Sequence, residues 1–336
     1  MATISDVARS AGVSLSTVSY VLSGKRSISE PTRTRVLDAV ALLGYRPNAG
    51  ARALASASNR TGVIGLVVPL HEDADVNVVM QFVRAVTTTA RRHEADVLLL
   101  TQEDSAGLER VTATALVDGL IVLDIAVDDP RIGLLAGLGR PAVLMGLPRE
   151  TQGLSCVDFD FALAARTAVD HLARLGHTSI GLVSSSTSSV HQAGYADRLQ
   201  ASFLDQAASA GLRVATQSCD PTAEAARTCL NGLRAQQPDL TALVVHHETA
   251  LPHLVSTLEE QGVRIPRDLS LVSVGATGAA AGLPQPVDVV EVPISEMGRV
   301  AVEMLSARIA GDATPEVRLL SSPLIAQGGS APPPAS

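Results

Sequence analysis

The 336 residues of this chain are enough for two or three domains, and with 46% hydrophobic and 18% charged residues the composition is that of a globular protein and excludes a disordered one. Aromatic residues make up only 2%, so the cores must rest on Leu, Val, Ile and Ala. The net charge of −8 argues against a nucleic-acid binder, but residues 1–60 hold eight Lys/Arg against three Asp/Glu, a net charge of +5. Residues 61–336 hold 18 against 31, a net charge of −13, so a basic N-terminal module precedes an acidic body.

The first 22 residues predict two short helices joined by a tight turn. Thr3 and Asp6 have the spacing of a capping box at the start of the first helix, and Gly12 supplies the positive φ that ends it. Ser14 can then cap a second helix over residues 15–22. Two helices in this arrangement form a helix-turn-helix, in which the second helix can lie in a DNA major groove.

A third helix is expected next, capped by Ser29 and ended by Gly44. Asn48 is a good cap for the segment 49–55, but seven residues are too few for a stable isolated helix. The polar residues 56–59 form a linker, where we place the domain boundary.

From residue 63 onward, short apolar runs alternate with longer amphipathic ones. The apolar runs predict buried parallel strands at residues 63–69, 96–101, 119–124, 141–146, 156–160, 179–185, 213–217, 241–247, 270–275, 287–293 and 317–322. The amphipathic runs predict helices at residues 76–93, 106–117, 130–138, 162–175, 195–210, 222–235, 250–261 and 294–310. Repeated βα units predict doubly wound parallel sheets, and their number favours two α/β lobes over one.

Several kinds of chemistry lack support in the sequence. It contains no P-loop, no G-x-G-x-x-G after the first strand and no G-x-S-x-G, so we expect no enzyme, no catalytic residues and no cofactor. His246 and His247 are adjacent on a strand and point to opposite faces, which argues against a shared metal site. Cys156, Cys219 and Cys229 fit reduced core thiols. Without a signal peptide or an 18-residue apolar run, the chain is expected to be soluble and cytoplasmic, with no membrane contact.

The N-terminal segment resembles the headpiece of the lactose-repressor (LacI/GalR) family of bacterial transcription regulators. The resemblance rests on an ordered set of residues: Asp6-Val7-Ala8, Ala11-Gly12-Val13-Ser14, Thr17-Val18-Ser19, Leu43-Gly44-Tyr45, Pro47-Asn48 and Arg52-Ala53-Leu54-Ala55. It implies an all-α helix-turn-helix headpiece with a hinge helix over residues 1–57, followed by a two-lobed periplasmic-binding-protein-like core over residues 58–336. It also implies lobe bounds of about 61–160 with 292–320 for lobe one, and about 161–291 with 321–328 for lobe two. Composition predicts that the tail 329–336 is disordered.

These features predict the residues that meet DNA. Leu15 and Ser16 begin the recognition helix and Tyr20 lies one turn further, so we expect these three to contact bases. The backbone contacts are expected from Ser14, Thr17, Ser19, Lys25, Arg26 and Asn48. The family resemblance implies that Leu54 wedges into the minor groove when the hinge helix forms on operator DNA. One recognition helix reads only a few base pairs, so a homodimer on a near-palindromic operator is expected.

The family resemblance implies a ligand cleft between the two lobes. The effector site is expected there, because ligands bind at the C-terminal ends of strands in open α/β sheets. The polar candidates there are His71, Asp124, Ser184, Ser185, Arg198 and His246, together with the backbone at Gly275. Sugar-binding members of the family carry an aspartate after the strand that ends here at Gly275, where this chain has Ala276. A small polar effector, a sugar or sugar derivative, is the first prediction, and a phosphorylated or acidic metabolite is the second.

The function predicted from these features is a ligand-responsive, sequence-specific transcriptional regulator that acts as a repressor. The alternative is a cytoplasmic sugar-binding or sugar-processing α/β protein whose N-terminus is only a helical adaptor. The sequence leaves open whether the effector is an inducer or a co-repressor, and whether the regulator activates or represses.

Overall fold

The computed structural model describes residues 2–23, 26–45, 60–68, 70, 75–101, 105–113, 116–185, 194–276, 278, 280–312 and 314–334. The described residues form a three-helix headpiece and two α/β lobes, each built on a six-stranded sheet. The predicted fold class is therefore confirmed.

The headpiece consists of α1 (Ile4–Ala11), α2 (Leu15–Ser23) and α3 (Glu30–Leu42). The capping box forms as expected, because the Thr3 hydroxyl accepts a hydrogen bond from the Asp6 N–H and the Asp6 carboxylate accepts one from the Thr3 N–H. The small core of the headpiece contains Val7, Val18 and Val36, all fully buried. One expectation is wrong in detail: the Ser29 hydroxyl bonds the Thr32 hydroxyl at 2.9 Å and does not cap the backbone of α3.

Lobe one contains six parallel strands in the order β11-β5-β4-β3-β1-β2. Their bounds are β1 (Val63–Val67), β2 (Asp96–Leu100), β3 (Gly119–Val122), β4 (Ala142–Met145), β5 (Ser155–Phe159) and β11 (Val317–Leu320). The connecting helices are α4 (Val76–Arg92), α5 (Ser105–Ala113) and α6 (Arg131–Gly137). Parallel pairing inside the sheet, with helices packed over it, buries both faces of the central strands, which explains the continuous apolar runs of β3 and β4.

Lobe two repeats the same plan with the order β12-β10-β9-β8-β6-β7. Its strands are β6 (Ser179–Ser184), β7 (Arg213–Ser218), β8 (Ala242–His246), β9 (Ser270–Ala276), β10 (Asp288–Val292) and β12 (Leu324–Ile325). Its helices are α7 (Phe161–Leu175), α8 (Tyr195–Ser209), α9 (Ala223–Gln236) and α10 (Leu251–Glu260). The two-residue β12 pairs antiparallel with β10 and was not expected from the sequence.

The chain passes between the lobes three times: after β5, after β10 and after β11. Between the second and third crossings, α11 (Ile294–Ala310) packs against α4 of lobe one. Gly298 permits this contact, because a Cβ there would lie 2.5 Å from the Ala85 Cβ. The relative arrangement of the two lobes therefore depends on three short connecting segments.

The tail is ordered where disorder was expected. The Asp288 carboxylate accepts hydrogen bonds from the N–H groups of Gln327 at 2.6 Å and Gly329 at 2.8 Å, and from the Ser330 hydroxyl. The Ser270 hydroxyl bonds both the N–H and the carbonyl of Ala331, each at 3.0 Å. The prediction of a disordered tail is therefore wrong for residues 329–331, because buried polar groups of lobe two satisfy their backbone.

Candidate DNA-binding face and inter-lobe cleft

The exposed side of α2 carries the residues predicted to contact bases. Leu15 is 50% exposed, Ser16 is exposed and Tyr20 is half-buried, while Val18 on the opposite side is fully buried in the headpiece core. The side of α2 that carries Leu15 and Ser16 therefore lies outside the headpiece core and is accessible to another molecule.

The predicted backbone-contact residues surround that face. The Ser14 hydroxyl accepts a hydrogen bond from the Thr17 N–H at 3.2 Å and bonds the hydroxyls of Ser16 and Thr17, both at 2.8 Å. Ser14 thus caps α2 as expected. A contact between Ser14 and a DNA phosphate would involve the same hydroxyl that caps the helix. The guanidinium of Arg26 lies 5.9 Å from the centre of the Tyr20 ring, a cation–π contact that places a positive charge beside the exposed face. Ser19 is half-buried on the same helix.

Four predicted site residues lie outside the described residues. They are Lys25, Asn48 and Leu54 of the DNA-binding region and His71 of the cleft. Their assigned roles stay predictions.

The remaining cleft candidates lie where strands end. Ser184 and His246 are the last residues of the neighbouring strands β6 and β8 and are paired in register. Ser185 follows β6 and is buried. Asp124 follows β3 with φ of +54°, a left-handed conformation in which its carbonyl accepts a hydrogen bond from Arg131 at 2.7 Å. The ends of strands from both lobes therefore supply polar groups to the cleft.

Arg198 links the two lobes directly. It lies in the first turn of α8 in lobe two, and its guanidinium bonds the Asp158 carboxylate of β5 in lobe one at 2.5 Å. It also reaches the Leu147 carbonyl of lobe one at 3.5 Å. Beside it, a Cβ on Gly194 would lie 2.2 Å from a methyl carbon of Val127, so only glycine permits this approach of the lobes. Arg198 thus connects the two lobes, and its guanidinium already has partners in the protein.

A cluster of aromatic rings forms one wall of the cleft. Phe161 and Tyr195 stack with their ring centres 5.0 Å apart and an interplanar angle of 27°. The imidazole of His246 meets both rings edge-on, at 5.4 and 5.5 Å. In a chain with only four Phe and three Tyr, this concentration of rings marks the place where flat apolar surface is needed.

Glu248 brings a carboxylate to the end of β9. The family resemblance implies an aspartate after this strand, and this chain has Ala276 there. Its Oε1 accepts a hydrogen bond from the Ala276 N–H at 2.9 Å. A Cβ on Gly275 would lie 2.9 Å from the Glu248 Cγ, so the glycine makes room for this side chain. Burial raises the pKa of Glu248. Glu248 therefore supplies a carboxylate to the end of β9 from the loop that follows β8.

His246 is buried without a full set of hydrogen bonds. Only 6% of its surface is exposed, and among the described residues its Nδ1 has no hydrogen-bond partner. Burial lowers the pKa of His246 to about 4, so the imidazole is neutral at physiological pH. His247, on the other face of the strand, has an unpartnered Nε2 within the same described set. Buried polar atoms without partners are uncommon, so these two imidazole nitrogens stand out from the rest of the described polar groups.

Carboxyl groups converge on Tyr195. Burial raises the pKa of its phenol, and the nearby charges of Glu248, Asp124 and Asp158 raise it further. Burial also raises the pKa of Asp158 to about 6, with Arg198 opposing the shift. The site is therefore rich in carboxyl groups, and these lie around the Tyr195 ring.

Four residues of this site were missed in the sequence: Asp158, Phe161, Tyr195 and Glu248. Glu248 had a detectable signal, since it follows directly after a strand that ends in two histidines. Asp158 and Phe161 lie at the first crossing between lobes, where polar and aromatic residues interrupt an otherwise aliphatic chain.

The described ranges lack two kinds of feature. They contain no group of three or more His, Cys, Asp or Glu side chains placed to hold a metal ion. They also contain no helix both long and apolar enough to cross a membrane.

Comparison with known proteins gives the family. Residues 3–48 match the family described as bacterial regulatory proteins, lacI family, and residues 169–331 match a periplasmic binding protein-like domain. The curated transcriptional regulator GalS of Salmonella typhimurium is 30% identical over 319 residues, covering 93% of this chain and 91% of GalS. Each of these matches agrees with the arrangement of headpiece and lobes described above.

Two solved structures are similar over nearly the whole chain. A complex of the transcriptional regulator CelR with cellobiose has a TM-score of 0.68 at 26% identity, covering 98% of this chain and 100% of that chain. A lac repressor dimer bound to operator and the anti-inducer ONPF has a TM-score of 0.81 at 23% identity, covering 98% and 99%. On the GalS match and the two family models, this chain belongs to the LacI family of bacterial regulatory proteins, which are DNA-binding transcriptional regulators and not enzymes.

Proposed function

We propose that this regulator is a cytoplasmic repressor that binds a near-palindromic operator as a homodimer and is released by a small polar effector in the cleft. The observation that carries the proposal is the pairing of two surfaces in one chain: an exposed recognition face on α2 and a cleft lined by unpartnered buried imidazole. The first fits DNA, and the second fits a ligand that changes how the lobes are arranged.

Within the recognition face, Leu15, Ser16 and Tyr20 read bases, and the surrounding hydroxyls together with Arg26 contact phosphates. The support is their placement, since the three base-reading residues share the exposed side of α2 and the Arg26 guanidinium lies at its edge. Lys25 and Asn48 add phosphate contacts and Leu54 acts as a minor-groove wedge, as the family resemblance implies.

Dimerisation through lobe one is supported by its open edge. β2 is the edge strand of that sheet, and its residues Leu98 and Leu99 are 36% and 41% exposed. On α4, the helix that precedes β2 in the chain, Val76 and Met80 are 56% and 52% exposed. An apolar sheet edge of this kind invites pairing with a second chain, and a symmetric partner would place two recognition helices on one operator.

The cleft is suited to switching because the two lobes meet through specific contacts. The Asp158–Arg198 ion pair and the Gly194–Val127 approach exist in one arrangement of the lobes and break if they rotate apart. An effector that binds one arrangement better shifts the population toward it, and operator and effector then change each other's affinity by the same factor. Binding of cellobiose in the similar CelR structure supports a sugar or sugar derivative as the first class to test.

Selection of bound duplexes from random DNA by the full chain tests the proposal. We expect an inverted repeat, and exchange of Leu15, Ser16 and Tyr20 together should change which repeat is selected. Replacement of Arg26 by alanine should instead weaken all sequences alike and reduce the slope of log affinity against log salt by about one. A short asymmetric site, bound equally well by the triple variant, would contradict the proposed dimeric recognition.

The hinge residue gives a second test of the DNA-binding role. We expect Leu54→Ala to leave folding intact and to reduce operator affinity by about 1–3 kcal/mol, with a smaller loss on random DNA. Fluorescence anisotropy with operator and random duplexes measures both. Equal affinity of the variant and the parent chain for operator would show that Leu54 is not a wedge.

A further inference from the structure

The charges around the cleft are unbalanced. In the part of the cleft that the structure describes, carboxyl groups outnumber guanidinium groups: the acids are Asp75, Asp124, Asp129, Asp158 and Glu248, and the bases are Arg131 and Arg198. Arg131 forms an ion pair with Asp129 at 2.7 Å, and Arg198 forms one with Asp158. The two histidines do not restore the balance, because burial lowers the pKa of both His246 and His247. The described cleft is therefore an environment of negative potential.

Glu248 is a carboxylate whose ionisation is opposed both by burial and by a neighbouring negative charge. Its Oε1 is fixed by the Ala276 N–H, a neutral donor. The charge of Asp75, across the cleft in lobe one, reinforces the effect of burial in raising the pKa of Glu248. An anionic ligand would meet repulsion from both groups, whereas a cation would stabilise the ionised form of both.

The aromatic wall favours the same kind of ligand. The stacked pair of Phe161, which is buried, and Tyr195, which is half-buried, lies next to the acidic groups that surround the Tyr195 phenol. A cation over a ring face is attracted to it, and more strongly where water is excluded. His246, in contact with both rings, offers the unpartnered Nδ1 to a hydroxyl, which can donate or accept as the tautomer requires.

We propose that the effector carries a positively charged nitrogen, as an amine-bearing sugar or polyol does, with the ammonium bound by Glu248 beside the Phe161–Tyr195 rings and a hydroxyl bonded to His246 Nδ1. The assignment rests on the proposed function, because it takes the cleft as the effector site. It reverses the second prediction made from the sequence, in which the absent aspartate favoured an acidic metabolite.

Matched ligands on the full chain test the assignment. Each triplet shares one carbon skeleton and differs in charge, as in glucosamine, glucose and glucuronate, and the galactose and mannose series extend the set; thermal shift screens them and calorimetry measures affinity. We expect at least one amine to bind about tenfold more tightly than its neutral and acidic partners, the scale of one charge-assisted contact. The preference should disappear in Glu248→Gln and persist in Glu259→Gln, which removes the same charge from an exposed helical position.

Further variants separate the ring from the phenol. Tyr195→Phe keeps the ring face and should keep the preference for amines, whereas Tyr195→Leu should lose it; the melting temperature without ligand reports whether each variant folds. Tighter binding of a neutral or acidic member overturns the proposal, and so does the absence of binding by every amine. Operator selection by the same preparations is independent of these results, so an inverted repeat there shows that the proposed regulator function survives the loss of the amine assignment.

Discussion

The two ends of the lobe-two sheet bury polar side chains to a similar depth but satisfy them differently. At the end where the strands begin, His177 is 2% exposed and both ring nitrogens are bonded, Nδ1 to the Thr241 hydroxyl at 2.8 Å and Nε2 to Ser270 and the Ala331 carbonyl at 3.1 and 3.0 Å. At the end where the strands finish, His246 is 6% exposed and its Nδ1 has no partner among the described residues.

The difference distinguishes a polar group that stabilises the fold from one that we propose binds a ligand. A buried polar group costs free energy unless its hydrogen bonds are made, so a fully bonded network fastens the tail to lobe two. An incompletely bonded one is less stable alone and gains when a ligand completes it. Depth of burial alone does not tell the two cases apart, whereas the count of partners does.

The largest expected effect is at the tail. Asp288→Ala removes the acceptor for two backbone N–H groups and the Ser330 hydroxyl, all in a site where the carboxylate is 1% exposed. We expect the free energy of unfolding in denaturant to fall by about 3–5 kcal/mol. The control Glu259→Ala, at an exposed position, should change it by less than about 0.5 kcal/mol. A loss under about 1 kcal/mol for Asp288→Ala would mean that the tail is not fastened in this way.

A matched pair of histidine substitutions tests the comparison directly. His177→Phe removes bonds on both ring nitrogens and should lower the free energy of unfolding by about 2–3 kcal/mol. His246→Phe keeps a ring of similar size where one nitrogen has no partner in the described chain, so stability should change by less than about 1 kcal/mol. Release from operator by the effector should be lost only in His246→Phe. Equal destabilisation by the two substitutions would refute the distinction between the two ends.

A smaller effect should follow pH at the contact between lobes. Asp158 ionises at about pH 6 in the folded chain but near its ordinary pKa of 3.8 when unfolded. Because the folded pKa is the higher one, the stability that Asp158 contributes is present below about pH 4 and is lost as the pH rises through 6.

We expect the difference in unfolding free energy between the parent chain and Asp158→Asn to shift by about 2 kcal/mol against the parent from pH 4 to 7. Denaturant titrations at several pH values measure it, and Asp128→Asn serves as the exposed control, since the pKa of Asp128 is lowered by Arg149. A shift in favour of the parent would show that the ion pair with Arg198 outweighs burial.

Local sequence determined the elements of this fold because their signals act over a few residues. The Thr3–Asp6 capping box and the positive φ of Gly12 set the bounds of the first helix, and both are present in the structure. Apolar runs such as residues 63–69 predicted strands because a parallel strand covered on both faces needs no polar residue, and β1 occupies Val63–Val67. The repeat of such units was enough to predict two doubly wound lobes.

The list of cleft residues predicted from the sequence was incomplete, because some of these residues come together only through packing between distant parts of the chain. His246, Asp124 and Ser184 could be predicted to lie at or just after strand ends because strand ends are readable from the chain, and the structure has β6 and β8 ending at Ser184 and His246. Glu248 was missed because its importance comes from Gly275, a residue 27 positions away that leaves space for it. Which side chains lie beside the end of β9 depends on packing between neighbouring strands.

By itself the sequence determined the headpiece helices and the two α/β lobes, since helix capping and hydrophobic periodicity are local properties. Only the tertiary structure decided that Arg198 pairs with Asp158 across the lobes, 40 residues away, and that Asp288 orders a tail whose composition predicted disorder. Both depend on one charged group meeting a partner that is distant in sequence and withdrawn from water. The free energy of such a meeting is set by burial and geometry, which no local pattern records.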